Sequence, residues 1–300
     1  MRRWIAGAAA VSALAVASPA FAQAKPVDPV AALKKQFVAG QGVKLTEHTD
    51  ITISGDSYTS ADRVGAIGLD AKGIAGVEVT RTPSLSAKER ASLEKAAAKN
   101  PDLADSIDLL TERIYLVSTG KRQYVNGGLY STLMPEHATW VGMDASAGSA
   151  AFGDQLVNVF EPATLKYLLA TKKSVSGSQY RGSTTFGALY KVSPTFREQI
   201  AIKPTGKAAR TVISWRLTLD PQKLVKRLAI TWTVKLSKKL TFKAATVSRY
   251  TEWGTAVKVT APPADQVVDI KALVKKAPEP PASIDRNYVS VPPDDDGNVQ

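Results

Sequence analysis

TVISWRLTLDPQKLVKRLAITWTVKL, residues 211–236, decides the reading of the fold. Ile213, Trp215, Leu217 and Leu219 take one parity, while Ser214, Arg216 and Thr218 take the other. Successive side chains of a strand point to opposite faces, so this alternation predicts a half-buried strand. Asp220-Pro221 opens a turn. The pattern then restarts, with Leu228, Ile230, Trp232 and Val234 inward. Two strands joined by so short a turn are antiparallel.

The same alternation extends both ways along the chain. Toward the C-terminus, TFKAATVSRY (241–250) and TAVKVTAPP (255–263) read as further strands. Val257 and Val259 are expected as the inward residues of the last one. Tyr250, Trp253 and Gly254 read as an edge-to-turn transition. Pro262-Pro263 should stop the ladder, because proline has no N–H to donate. Toward the N-terminus, GVKLTEHTDITIS (42–54) sets Val43, Leu45, Thr49, Ile51 and Ile53 on one parity, with Glu47 the exception. RVGAIGLDAKG and AGVEVTRT predict two strands around a turn at Asp70 to Gly73. ERIYLVSTGKRQYVNGGLYS predicts a hairpin turning near Thr119 to Lys121, and TWVGMDA a short strand.

Three stretches read as helices. Asp28-Pro29 before VAALKKQF is a capped start with proline at the first helical position. SLSAKERASLEKAAAK carries a capping box, Ser86 with Glu89, and Pro101 should end it. EPATLKYLLATKK begins near Pro162. Hairpins and meander with helices between them predict an α+β fold. Its sheet should be antiparallel with one face covered.

The first 22 residues, MRRWIAGAAAVSALAVASPAFA, have the form of a secretory signal peptide: Arg2 and Arg3, an apolar stretch, then Ala20-Phe21-Ala22. The expected organisation is therefore a signal peptide over 1–22, a single domain over 23–272, and a Pro-rich tail over 273–300 that has little to bury. The expected location is extracytoplasmic, secreted or in the cell envelope. There is no cysteine, so disulfides are excluded, and so is a lipid anchor on a cleavage-site cysteine.

Charge is divided unevenly along the chain. Residues 23–161 carry 14 basic and 17 acidic side chains, and residues 162–276 carry 22 basic and 5 acidic. The basic half suits an anionic envelope polymer or a membrane surface as partner, and equally the solvent face of strands. Nothing points to nucleic acid.

Candidates for chemistry are few. His48 falls on the outward parity of its strand, and His137 lies in a turn. With no other histidine and no cysteine, no transition-metal site and no cofactor are expected. Ser118-Thr119-Gly120-Lys121 matches the SxxK nucleophile motif, but it sits in a hairpin turn without the companion KTG and SDN motifs. Asp294-Asp295-Asp296-Gly297-Asn298 ends before the distal acid that a calcium loop needs. An enzyme is not expected, and no catalytic residue is assigned.

What remains is apolar strand surface. Trp215 and Trp232 lie on the inward parity of neighbouring strands beside Ile213, Leu217, Leu228, Ile230 and Val234. Leu45 and Ile51 of the first strand, Ile114 and Leu116 of the hairpin, and Trp140 of the short strand complete the set. These are the candidate lining of a hydrophobic cavity; a filled core is the other reading.

From Asp28 to about Asp269 the chain resembles the LolA-like superfamily, most closely the actinobacterial LppX/LprG-type envelope lipoproteins. The likeness rests on VAALKKQF and the long first strand, YVNGGLYSTLMPEHATWVGMD, FEPATLKYLLATKKSVS with QYRGSTTFGALY, SWRLTLDPQKLVKRLAITWTV, and YTEWGTAVKVTAPPADQV in that order. The resemblance implies a curved antiparallel half-barrel with helices on its concave face and a cavity that holds a lipid or acyl chain. The chain departs from those lipoproteins in lacking the lipobox cysteine. Two functions are therefore expected as alternatives. One is carriage or sensing of a hydrophobic ligand. The other is a ligand-free protein-interaction or envelope-stress regulatory module.

Overall fold

The computed structural model describes residues 28–99, 107, 111–235, 237 and 240–276. The expected signal peptide, the stop at Pro101 and the acidic motif at 294–298 lie outside these residues. Twelve strands form one open sheet: β1 (Gln41–Ile53), β2 (Asp56–Asp70), β3 (Gly73–Leu85), β4 (Ile114–Thr119), β5 (Arg122–Asn126), β6 (Trp140–Asp144), β7 (Lys172–Ser176), β8 (Gln179–Thr185), β9 (Val212–Leu219), β10 (Val225–Lys235), β11 (Thr241–Ala256) and β12 (Val267–Asp269). Their order across the sheet is β12-β6-β5-β4-β3-β2-β1-β11-β10-β9-β8-β7. All neighbours are antiparallel except β12, which pairs parallel with β6. The class is α+β, and the sheet is mixed through that one short strand.

The decisive hairpin forms as read. Ile230 pairs with Trp215, and Leu228 with Leu217. Asp220 closes the turn, its Oδ1 accepting from Leu224 N–H at 2.8 Å. Inward positions of β9 are buried and outward ones exposed, as the alternation requires.

Eight helices are described: α1 (Pro29–Lys35), α2 (Ala87–Ala97), α3 (Ala147–Phe152), α4 (Pro162–Ala170), α5 (Phe186–Val192), α6 (Pro194–Ile200), α7 (Gly206–Ala209) and α8 (Ile270–Lys276). Asp28 caps α1 through its carboxylate, and Ser86 caps α2 by accepting from Glu89 N–H. Helix α8 runs past residue 272, where the tail was expected to start, and buries Leu273. Phe152, Leu165, Leu168, Leu189 and Phe196 of α3 to α6 share one buried cluster with the inward residues of β1–β3 and β9–β11.

The end of the chain departs from expectation. β11 extends through Tyr250 and Trp253 to Ala256, so the expected edge-to-turn transition is instead an irregularity within the strand, where the register against β1 shifts and Glu252 and Gly254 take φ of +54° and +82°. Tyr250 and Trp253 both pack on Phe160, with ring centroids 5.2 and 5.3 Å away. Residues 257–263 are not a strand. Val257 and Val259 instead lie across Gly42, Gly68 and Gly76. These glycines face one another in register across β1, β2 and β3. A Cβ on Gly42 would come within 2.6 Å of Val257 Cγ2, and one on Gly76 within 3.0 Å of Val259 Cβ. The glycine lane lets an extended strap cross the sheet from β11 and reach β6, where β12 adds to the far edge. Its alternating valines are those of a strap, not of an inward strand face.

Candidate functional site

Six of the twelve candidate cavity residues are deeply buried. Leu45, Ile213, Trp215, Leu217, Leu228 and Ile230 are 0–3% exposed. They join the helix residues in one buried cluster. Leu116 and Trp232 are partly buried and pack on the same cluster. Ile51, Ile114, Trp140 and Val234 are partly exposed at strand positions. The strand face beneath the helices is thus buried around Trp215.

Open space lies at the two flanks of the helices. The first groove, of about 410 Å³, is lined by Tyr167 of α4, Thr185 at the end of β8, Gly187 to Val192 of α5 except Leu189, and Lys203, Pro204 and Ala209. Its walls are the rings of Tyr167 and Tyr190 with Ala188, Val192, Pro204 and Ala209. Gly187 lets α5 approach Ala209, since a Cβ there would stand 3.0 Å from the Ala209 carbonyl oxygen. Tyr167 Oη and Thr184 Oγ1 are hydrogen-bonded at 3.2 Å. Lys191 and Lys203 belong to the lining, and neither forms an ion pair with a carboxylate among the described residues. Phe186, the first residue of α5, stacks edgewise on Phe196 and Trp232 at 5.4 and 5.5 Å. The predicted Trp232 therefore stands behind the groove rather than in it.

The second groove, of about 680 Å³, lies between α1 and the end of the β9–β10 hairpin. Ala32, Lys35 and Gln36 line one side, and Asp220, Gln222, Leu224 and Lys226 the other, with Tyr250 to Trp253 between them. Its lining is mixed in charge. Trp253 donates from Nε1 to the Val225 carbonyl at 3.1 Å, which fixes this wall.

Neither lining was assigned from sequence. The useful signal was present in Ala188 and Val192, four residues apart on α5 beside Lys191. Without the placement of residues 203–209 over α5, that pattern reads as an ordinary amphipathic helix.

Beneath the helices runs a buried polar line. Arg63 Nη1 donates to Glu47 Oε1 at 2.8 Å and to the Ala151 carbonyl at 3.2 Å, and Nη2 donates to the Ala150 carbonyl at 3.0 Å. Ser248 Oγ donates to Glu47 Oε2 at 2.6 Å, and Gln155 Nε2 donates to Ser248 Oγ at 2.9 Å. Burial pushes the Glu47 carboxyl up from its ordinary value, against the opposing pull of Arg63. Burial likewise pushes the Tyr250 hydroxyl up. The carbonyls held by Arg63 end α3, where a cation offsets the helix dipole. Gly153 (φ +42°) follows, and a Cβ there would lie 2.6 Å from the guanidinium. With both charged side chains sealed, this line fastens α3 to the sheet and offers a substrate no approach. It also accounts for Glu47, the polar exception on an inward parity.

The other sequence candidates sit apart. Ser118 is buried, and its hydroxyl donates to the Arg122 carbonyl at 3.0 Å inside the β4–β5 hairpin. His48 is exposed between Asp62 and Asp50, at 2.7 and 3.2 Å. Its pKa is raised, chiefly by the hydrogen bond to Asp62. His137 is exposed in a turn. No group of three metal-ligating side chains exists among the described residues.

No family model and no curated protein sequence matches the chain. Among solved structures, it is similar to a hypothetical protein from Chlamydia trachomatis at 9% identity and a TM-score of 0.28, covering 77% of this chain and 97% of that one. A DUF1329 family protein from Desulfovibrio piger aligns at 11% identity and a TM-score of 0.30, covering 78% and 96%. A porin-like protein from Bacteroides uniformis aligns at 7% and 0.23, covering 70% and 96%. At these TM-scores the likenesses carry no argument.

Proposed function

We propose that the protein is an exported, non-catalytic carrier or sensor of an anionic amphiphile, built on a cupped sheet of the LolA-like kind. The observation that carries the reading is the first groove. It has apolar walls, a volume within the range of small-molecule sites, and two unpaired lysines in its lining. An acyl chain along Ala188, Val192, Pro204 and Ala209 gains about 0.8 kcal/mol per methylene removed from water. Lys191 and Lys203 would take its carboxylate or phosphate. With the strand face around Trp215 buried beneath the helices, this reading sets the ligand at the open helix flank.

Titration of the full chain with a dansyl-labelled fatty acid tests this. Saturable binding is expected, weakened more than about tenfold in Lys191→Glu/Lys203→Glu by loss of two attractive charges and gain of two repulsive ones. Equal binding by wild type and the charge-reversed pair would remove the assignment.

The second reading is a ligand-free interaction module. One observation favours it: all five residues of edge strand β7 are exposed, and β7 pairs only with β8. An exposed edge is a template for strand addition by another chain.

A further inference from the structure

The outward face of the sheet, opposite the helices, carries cations in a pattern that the amphiphile reading does not use. Arg181 on β8 pairs in register with Arg216 on β9. Arg227 on β10 pairs with Arg249 on β11. Arg216 lies opposite Ala229, two residues along β10 from Arg227. Arg249 lies opposite Thr46, and Lys44 follows two residues on in β1. All five share one face, because Leu217, Leu228, Ser248 and Leu45 beside them turn into the core. The line therefore steps diagonally over five adjacent strands. With standard strand spacing and rise it spans about 23 Å.

Like charges placed directly opposite one another destabilise a sheet, and this line contains two such pairs. Arg63, Arg81 and Arg122 each meet a carboxylate. Among the described residues, Arg216, Arg227, Arg249 and Lys44 meet none, and Arg181 reaches only the Gln179 amide oxygen. Around Arg227, burial and the charges of Arg249 and Arg216 all disfavour the cation. The carboxylates on this face of β1 and β2, Asp50 and Asp62, engage His48. Positions between the cations hold short side chains: Ser214, Thr218, Ala229, Thr231 and Thr46.

We infer that this diagonal of Arg181, Arg216, Arg227, Arg249 and Lys44 is a docking track for a linear phosphate-bearing polyanion. Guanidinium groups take phosphate oxygens bidentately. A line of five cations suits a chain of anions, whereas one free phosphate reaches only one or two of them. A flat anionic bilayer would be met by a broad patch rather than a line.

The test is fluorescence anisotropy of the full chain with fluorescein-labelled inorganic polyphosphate. Binding should fall with salt at a log–log slope of about −3 to −4, the release expected for five contacts to a single-stranded polyanion. Arg216→Glu/Arg249→Glu should weaken binding at least tenfold while raising Tm, since it replaces repulsion with attraction. Lys207→Glu/Arg210→Glu, an equal charge change on the α7 segment, should leave binding within about twofold. Equal losses in the two double variants would reduce the track to general basicity and overturn the proposal. So would competition by monomeric phosphate at the polyphosphate concentration, or binding to phosphatidylglycerol vesicles without binding to polyphosphate. The fatty-acid titration reads the opposite face, so either proposal can fail alone.

Discussion

Arg63 and Glu47 face each other in register across β1 and β2, joined at 2.8 Å with side chains only 3% and 2% exposed. The pair replaces what would otherwise be two apolar side chains in the inward row. Removing one partner strands the other charge in the core, which costs about 3–5 kcal/mol. Arg63→Met should lose that much in urea unfolding, and Glu47→Leu a comparable amount. The double variant should recover most of the loss. Additive losses in the double variant would show that the two residues act independently.

The strap over the glycine lane gives a graded prediction. A methyl on Gly42 would collide with the Ile67 carbonyl oxygen and stand 2.6 Å from Val257 Cγ2, whereas one on Gly68 would meet Val257 Cγ1 only at 3.4 Å. Gly42→Ala should therefore cost about 1–3 kcal/mol through overpacking. Gly68→Ala should stay within about 0.5 kcal/mol of wild type. Thermal unfolding of the two variants side by side measures the difference. A Gly42→Ala variant as stable as Gly68→Ala would mean that the strap does not rest on the lane.

His48 should titrate above the ordinary histidine value of 6.5, because Asp62 and Asp50 favour its charged form. A histidine whose folded pKa is raised contributes stability fully below its unfolded pKa and loses it as pH rises through the folded one. Asp62→Asn should lower the His48 midpoint measured by NMR and flatten the fall in Tm over that window. An unchanged midpoint would remove Asp62 as the cause.

Much of the sheet was legible because alternation reports which side of a strand meets the core. Trp215 and Leu217 against Ser214 and Arg216 gave both the strand and its inward face. The same signal failed at Val257 and Val259, since an extended strap alternates as a strand does. Only Gly42, Gly68 and Gly76 distinguish the two, and their alignment needs the register of three strands. Glu47 was visible as an exception, but its partner was not. Arg63 is set against it by pairing across β1 and β2, 16 residues away in sequence. The first groove was hidden for a similar reason. Ala188 and Pro204 come together only when residues 203–209 fold over α5, and no local pattern encodes that contact.

The central claim is that an amphiphile occupies the groove of Tyr167, Ala188 and Pro204. Native mass spectrometry of the full chain with palmitate tests it most directly, comparing wild type with Ala188→Trp, which fills the groove from α5. The account predicts a one-to-one adduct on wild type that is lost in Ala188→Trp, with circular dichroism and Tm preserved. An adduct that persists in Ala188→Trp, or no adduct on wild type at all, would contradict it.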